Sequence, residues 1–485
     1  MEHITVIGGG LAGCEAALQI AKRGIKVKLY EMKPTKFSEA HSNKDLAEIV
    51  CSNSFKSNNL TNACGLLKEE LRRLGSFLIP VADNTSVPAG QALAVDREKF
   101  SSQVTKLVEE NENIEVIREE ITKIPKEGIV IIATGPLTSN SLAVQIRKLV
   151  GEDDLAFYDA AAPLVEKDSI NMDIAFYGDR YEEERGKDED IEGWKDRIKD
   201  IKASYINLPM NKEEYDKFYQ ELVNAEVAHL HDFEKREIFE GCMPVEVMAK
   251  RGEDTLRYGP LKPVGFTDHR TGRRPYAIVQ LRQDNKEGTL YNIVGFQTNL
   301  KFGEQKRVFS LIPGLENANF AKYGVMHRNT YINSSKLLDN TYHLKKRKRI
   351  FFAGQITGVE GYVESIASGF VASINAVELF KIQQELFEDK KIQSSILESE
   401  NNNIKFEDSE INVLIDEIIE EYEKRKIVFS KENIIGALAD YISTENNKFQ
   451  PMNANFGILP ELPEKIKDKK LKYQKLAERA LEKLK

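Results

Sequence analysis

The feature that most constrains this chain is a glycine turn, Gly8-Gly9-Gly10-Leu11-Ala12-Gly13, set between an apolar run and a helical one. Ile4-Thr5-Val6-Ile7 has the character of a buried strand. From residue 12 to residue 23 apolar side chains recur at helical spacing, Gly24 stops them, and Lys26–Tyr30 resumes as a strand that ends at Glu31. This strand–turn–helix–strand order predicts a dinucleotide-binding βαβ unit. Gly8 permits the tight turn, Gly10 lets a pyrophosphate approach the backbone, and Gly13 lets helix and strand pack closely. The helix start offers N–H groups and a positive dipole end to the phosphates, with Gly9, Leu11 and Ala12 completing the contact. Glu31, about 20 residues on, is placed to accept hydrogen bonds from an adenosine ribose.

A chain of 485 residues exceeds one ordinary core, so two or more domains are expected. Hydrophobic content of 41% and charged content of 30% describe a globular protein. No apolar stretch is expected to reach the roughly 20 residues of a spanning helix. No signal peptide fits between Met1 and the first strand, which predicts a cytoplasmic location. A net charge of −8 argues against a protein coated in positive charge but leaves room for a local basic face. The four cysteines, Cys14, Cys51, Cys64 and Cys242, form no CxxC pair and no disulfide framework. No Cys/His cluster has metal-ligand spacing, so no metal is expected.

Further along, Thr61 or Asn62 could cap a helix that Gly75 closes. Ile129-Val130-Ile131-Ile132-Ala133 predicts a buried parallel strand entering a turn at Thr134-Gly135-Pro136. A similar strand precedes Gly354-Gln355-Ile356-Thr357-Gly358-Val359-Glu360-Gly361-Tyr362. These late blocks, with Gly135, Gly354, Gln355 and Gly361, resemble the further signatures of two-dinucleotide flavoproteins and point to FAD. No second complete glycine fingerprint appears, so NADH or NADPH is expected only as a visiting reductant. The middle section carries an acidic stretch from Asp179 to Asp200, expected as a solvated excursion. The fold expected is α/β: a Rossmann-like FAD-binding domain of glutathione-reductase type, interrupted by a smaller α+β substrate domain. The boundaries drawn are 1–95, 114–150 and 320–485 for the FAD domain and 96–113 and 151–319 for the substrate domain. Residues 411–425 and 465–485 should be helical, with a loop at Asn401-Asn402-Asn403.

Cys51 and Cys242 both lie on expected turns, where a thiol can be held as thiolate; structural roles compete with that. Their surroundings carry a resemblance. Cys51-Ser52-Asn53-Ser54-Phe55, Glu240-Gly241-Cys242-Met243-Pro244 and the Gly354–Tyr362 block resemble the TrmFO family of folate- and FAD-dependent tRNA uracil-5 methyltransferases. Tyr258-Gly259-Pro260-Leu261, Arg273-Arg274-Pro275-Tyr276, Gln280-Leu281-Arg282-Gln283-Asp284-Asn285, His327-Arg328-Asn329-Thr330 and Met452-Asn453-Ala454-Asn455-Phe456-Gly457 extend the likeness over the chain. The related MnmG/GidA flavoproteins share the late glycine block but are not expected to carry the two cysteine blocks.

The resemblance implies transfer of a one-carbon unit from 5,10-methylenetetrahydrofolate, by way of the flavin, to carbon 5 of the T-loop uridine (position 54) of tRNA. NADH or NADPH would reduce the FAD. Such chemistry needs a nucleophile on carbon 6 of the base, and a thiolate supplies one. Cys51 and Cys242 match the family's functional cysteines; the motifs leave open which attacks, and Cys242 is the working choice. Cys14 and Cys64 fall inside helices and are expected to be packing residues. Tyr362 and Glu364 could move protons beside the flavin or be structural. Arg270, Arg273, Arg274 and Arg282 with Tyr276, and the run Lys345-Lys346-Arg347-Lys348-Arg349, are candidates for RNA or folate contact. The tRNA T-arm, folate and NAD(P)H are the partners implied, with no membrane and no obligate protein partner. Residues 381–426 look like an insertion relative to the family, and Ser334-Ser335 stands where Ser-Pro is common. Alternatives are the same chemistry on ribosomal RNA, a small-molecule FAD oxidoreductase, or an RNA-binding chaperone with structural FAD.

Overall fold

The computed structural model describes residues 2–151, 155–160, 162–181, 184–186, 188–198, 203–228, 243–390, 409–447 and 449–484. The glycine turn opens a six-stranded sheet of β1 (His3–Ile7), β2 (Lys26–Tyr30), β6 (Ile114–Ile117), β7 (Val130–Ile132), β16 (His343–Leu344) and β17 (Arg347–Phe352). Their order is β16-β17-β7-β1-β2-β6. All neighbours are parallel except β16, which turns back on β17 at the edge. A parallel sheet is covered on both faces, and accordingly Ile131, Ile132, Phe351 and Phe352 are all fully buried.

Helix α1 (Leu11–Lys22) and the long helix Tyr362–Lys390 pack together against this sheet. Gly369 makes their approach possible, because a Cβ there would lie 2.3 Å from the carbonyl oxygen of Ala12. Contrary to expectation, the long helix is apolar and long enough over Tyr362–Leu386 to cross a membrane. Of its apolar window 94% is buried inside the protein, so its composition reflects a core position. Helix α2 (Ala63–Leu74) starts at Asn62, whose side chain accepts from the Cys64 N–H, and ends at Gly75 in the left-handed conformation.

A second six-stranded sheet is antiparallel throughout. It contains β9 (Leu164–Glu166), β10 (Phe176–Tyr177), β11 (Tyr205–Met210), β12 (Ala277–Gln283), β13 (Leu290–Ile293) and β14 (Phe320–Lys322), ordered β10-β11-β12-β13-β9-β14. Strand alternation divides its faces. Ala277, Val279 and Leu281 enter a separate apolar core with Val165 and Ile293, whereas Gln280 and Arg282 point the other way. A ribbon of β8 (Leu155–Ala160) and β15 (Met326–Tyr331), and a small sheet of β3 (Ser54–Ser57), β4 (Ser86–Val87) and β5 (Ala92–Val95), complete the strands.

The boundary drawn at 96–113 is corrected by packing. Helix α3 (Arg97–Glu109) puts Phe100, Val104 and Val108 into the core of the parallel sheet. Residues 320–322 go the other way, since β14 pairs with β9 in the second sheet. The acidic stretch is more than a solvated excursion: its helix Ile191–Ile198 buries Trp194 completely. The Ser409–Arg425 helix packs back on the long helix through Leu414, Ile418 and Tyr422, while residues 401–403 lie outside the described residues. The last helix runs over Lys469–Glu482.

Candidate functional site

The glycine turn forms the floor of a cavity of about 1060 Å³ that opens to solvent. Gly8 has φ +105°, and a Cβ there would sit 2.5 Å from the Ala133 carbonyl oxygen. At Gly13 a Cβ would be 1.8 Å from the Gly8 carbonyl oxygen, so the helix could not start so close to the turn. Gly10 differs: nothing lies within 4 Å of where its Cβ would be, and its backbone faces open space. It is also the N-cap of α1, with no side chain capping the helix, so the first N–H groups are left for a ligand.

Gly8, Gly9, Gly10, Leu11, Ala12, Glu31, Gly135, Gly354 and Gln355 all line this one cavity. Glu31 is buried and accepts from Gly9 N–H at Oε2 and Lys33 N–H at Oε1, each at 2.9 Å. One acceptor direction per oxygen remains for a ribose hydroxyl. Gly135 (φ +64°) has nothing near its Cβ direction, and Gly354 N–H donates to Ser368 Oγ at 2.6 Å. Two of the expected contacts lie elsewhere. Gly13 is a packing glycine, and Gly361 meets Glu364 instead, with a Cβ there falling 2.2 Å from its Oε2. A largely apolar cavity carrying an open helix start and an acidic wall fits an FAD.

Cys51 stands on a loop between β2 and β3, partly exposed. Its N–H donates to the hydroxyl of Tyr362 at 3.1 Å, and that tyrosine lines the large cavity. The loop is gripped by two guanidinium groups. Arg97, at the start of α3, donates to the carbonyls of Ile49 (2.8 Å) and Cys51 (2.9 Å) and pairs with the buried Asp284 at 3.0 Å. Burial opposes the Arg97 charge, but Asp284, Tyr362 and Cys51 together hold its pKa above the ordinary value. Arg282 donates to Asn53 Oδ1 at 3.0 Å and Ser52 Oγ at 2.6 Å, and Asn53 donates in turn to Gln283 O at 3.0 Å. Arg282 lies on β12 and Asp284 just past its end, whereas Arg97 opens a helix packed in the core of the parallel sheet, so both cores hold the Cys51 loop.

The remaining candidates differ in outcome. Cys242 lies outside the described residues; beyond it, Val245 N–H donates to Gln297 O at 2.7 Å. Cys14 and Cys64 are buried, and burial pushes both thiols up, Cys64 to about 12. The arginines around Tyr276 do not form one basic face. Arg282 is turned inward, Arg270 is clamped on Asp268 and Arg274 pairs with Glu184. The run 345–349 spans the β16–β17 hairpin, where Lys348 pairs with Glu423 and the buried Arg349 donates to the carbonyls of Pro125 and Gly128. Glu364 is fully buried, with Oε1 taking Lys56 at 3.2 Å and Ala454 N–H at 2.9 Å. Arg97 escaped the sequence reading, and Asp284 entered it only as part of a motif block, because nothing local marks either as an anchor; only alternation along β12 could have flagged Arg282 as pointing away from the core.

Comparison with known proteins agrees with this geometry. The family model described as glucose inhibited division protein A matches residues 3–384. The methylenetetrahydrofolate–tRNA-(uracil-5-)-methyltransferase TrmFO of Acetivibrio thermocellus is 56% identical over 486 residues, covering 100% of this chain and 98% of its own. The Bacillus subtilis TrmFO is 53% identical over 482 residues, covering 99% and 97%. Among solved structures, Aquifex aeolicus GidA in its form II crystal aligns with a TM-score of 0.62 at 16% identity, over 99% of this chain and 72% of that one, a likeness of fold. With more than half its residues shared from end to end with the first of these relatives, this chain belongs to the TrmFO family.

Proposed function

We propose that this protein transfers a one-carbon unit from 5,10-methylenetetrahydrofolate to carbon 5 of a tRNA uridine, forming 5-methyluridine at the T-loop position 54. The observation that carries this is the placement of Cys51. Cys51 sits on a doubly anchored loop, and its backbone N–H donates to the hydroxyl of Tyr362, a wall of the dinucleotide cavity. FAD would supply the reducing equivalents and the carrier for the one-carbon unit, with NADH or NADPH as reductant. The first-turn N–H groups of α1 would take its pyrophosphate and Glu31 its ribose, with Gly135, Gly354 and Gln355 along the remaining wall. Cys51 and Cys242 are the functional thiols, one attacking the base and the other assisting. The reaction takes place in the cytoplasm, where the partners are tRNA, folate and NAD(P)H.

The test supplies purified protein with methylenetetrahydrofolate, NAD(P)H and tRNA lacking the T-loop methyl, beside ribosomal RNA. Methyl label at uridine 54 is expected, with a yellow flavin spectrum. Label confined to ribosomal RNA would replace the substrate, and NAD(P)H turnover indifferent to folate and RNA would replace the reaction.

A further inference from the structure

Beside Cys51, on the side of the second sheet, lies a smaller cavity of about 320 Å³, lined by Cys51, Ser52, Arg282, Asn292, Gly295 and Gln297. Its wall is the polar face of that sheet. Arg282 on β12 and Asn292 on β13 are register partners, and Asn292 also faces Leu164 on β9. The residues flanking Asn292, Tyr291 and Ile293, enter the apolar core on the other face. Asn292 is 3% exposed, and no described group accepts from its Nδ2. A buried amide donor without a partner is costly, and a retained one points to a ligand that completes it. Gly295 fixes the far wall: its φ of +80° and a Cβ position 2.4 Å from Pro260 Cβ exclude a side chain there.

We propose that this cavity seats the target uracil, turned out of its RNA stack beside Cys51, with the Asn292 carboxamide reading the O4 and N3–H edge of the base. Enzymes that modify a base extrude it into a small pocket and read its pairing edge by hydrogen bonds. A carboxamide offers one donor and one acceptor side by side, which matches a carbonyl next to an imide N–H. Val294 and Ala162 provide apolar contact, and Arg282 keeps Ser52 and Asn53 in place around the ring. This assignment rests on the methyltransferase reading above.

The test replaces Asn292 with Asp and compares methyl transfer to tRNA carrying uridine or cytidine at the target position. A carboxylate cannot donate to O4 but accepts from the cytosine amino group, so the uridine-to-cytidine ratio should fall by roughly 100-fold. A ratio is insensitive to a general loss of stability. An unchanged ratio in Asn292→Asp would overturn the proposal. The unaltered protein provides a second measurement, on tRNA carrying 3-methyluridine at the target. Transfer should drop by roughly 100-fold while tRNA retention on a filter stays the same; transfer within threefold of that on uridine would overturn it as well. Failure of the unaltered protein to methylate any RNA would instead overturn the methyltransferase reading itself.

Discussion

The flavin cavity and the Cys51 loop meet at Tyr362, yet they are built by opposite means. The cavity is made largely of backbone: glycines whose missing Cβ atoms leave room, a helix start, and the Glu31 carboxylate bonded to two N–H groups. The loop is made of side chains that cross the molecule, with Arg282 reaching Asn53 and Arg97 reaching Asp284. A backbone-built site depends on local chain geometry and tolerates change almost anywhere else. A side-chain-built site depends on two sheets keeping their relative placement, and each buried charge in it needs its partner.

The strongest challenge to that contrast is Cys51→Ala. On the proposed function, in which both Cys51 and Cys242 are needed, it should lower methyl transfer on the order of 10⁴-fold while the flavin spectrum stays intact. Loss of FAD together with activity would mean that loop and cavity are one unit. Gly13→Ala should do the reverse. With a Cβ 1.8 Å from the Gly8 carbonyl oxygen, the turn must open, destabilising the protein by about 3 kcal/mol and releasing FAD, read by flavin absorbance and urea unfolding.

Arg97→Ala tests the loop as a structure. It strands Asp284, whose side chain is 4% exposed, and should cost about 3 kcal/mol in urea unfolding, with faster alkylation of Cys51 as its anchor goes. Arg97→Lys should recover only part of this, because an ammonium cannot span two carbonyls and a carboxylate with the same fork. A neutral outcome for Arg97→Ala would show that Arg282 alone holds the loop.

The effect that is smallest per step of its variable lies outside both regions. Glu70 is buried and accepts from the N–H groups of Ile434 and Ile435, at the start of the Ile434–Ser443 helix. Burial pushes its carboxyl up to about 7, against those two hydrogen bonds. The folded protein therefore binds a proton that the unfolded chain has released, so stability falls as pH rises from about 4.5 to 7 and levels off above. The slope from this group is at most roughly 1.4 kcal/mol per pH unit, and Glu70→Gln should remove it, as urea unfolding across that range would read. Flavin binding and Cys51 reactivity should not follow the same curve, since neither site shares Glu70.

The same contrast explains what could be read in advance. The βαβ unit, α2 from Asn62 to Gly75, and the strands before Thr134 and Gly354 were legible because each rests on short-range rules of period, capping and left-handed glycine. The placement of residues 96–113 was misjudged because an amphipathic helix shows which face is buried but not against what. The basic run at 345–349 was only partly legible because charge in a sequence carries no record of its partners: Glu423 takes Lys348 and two carbonyls take Arg349.

By itself, then, the sequence determined a glycine turn that can only open a dinucleotide cavity, and two cysteine blocks whose resemblance named the family. Tertiary structure alone decided that Arg97 and Arg282 hold Cys51, and that Asn292 faces a cavity beside it. The Arg282–Ser52 hydrogen bond alone joins residues 230 positions apart, and contacts between such distant groups leave no periodicity for a sequence to display.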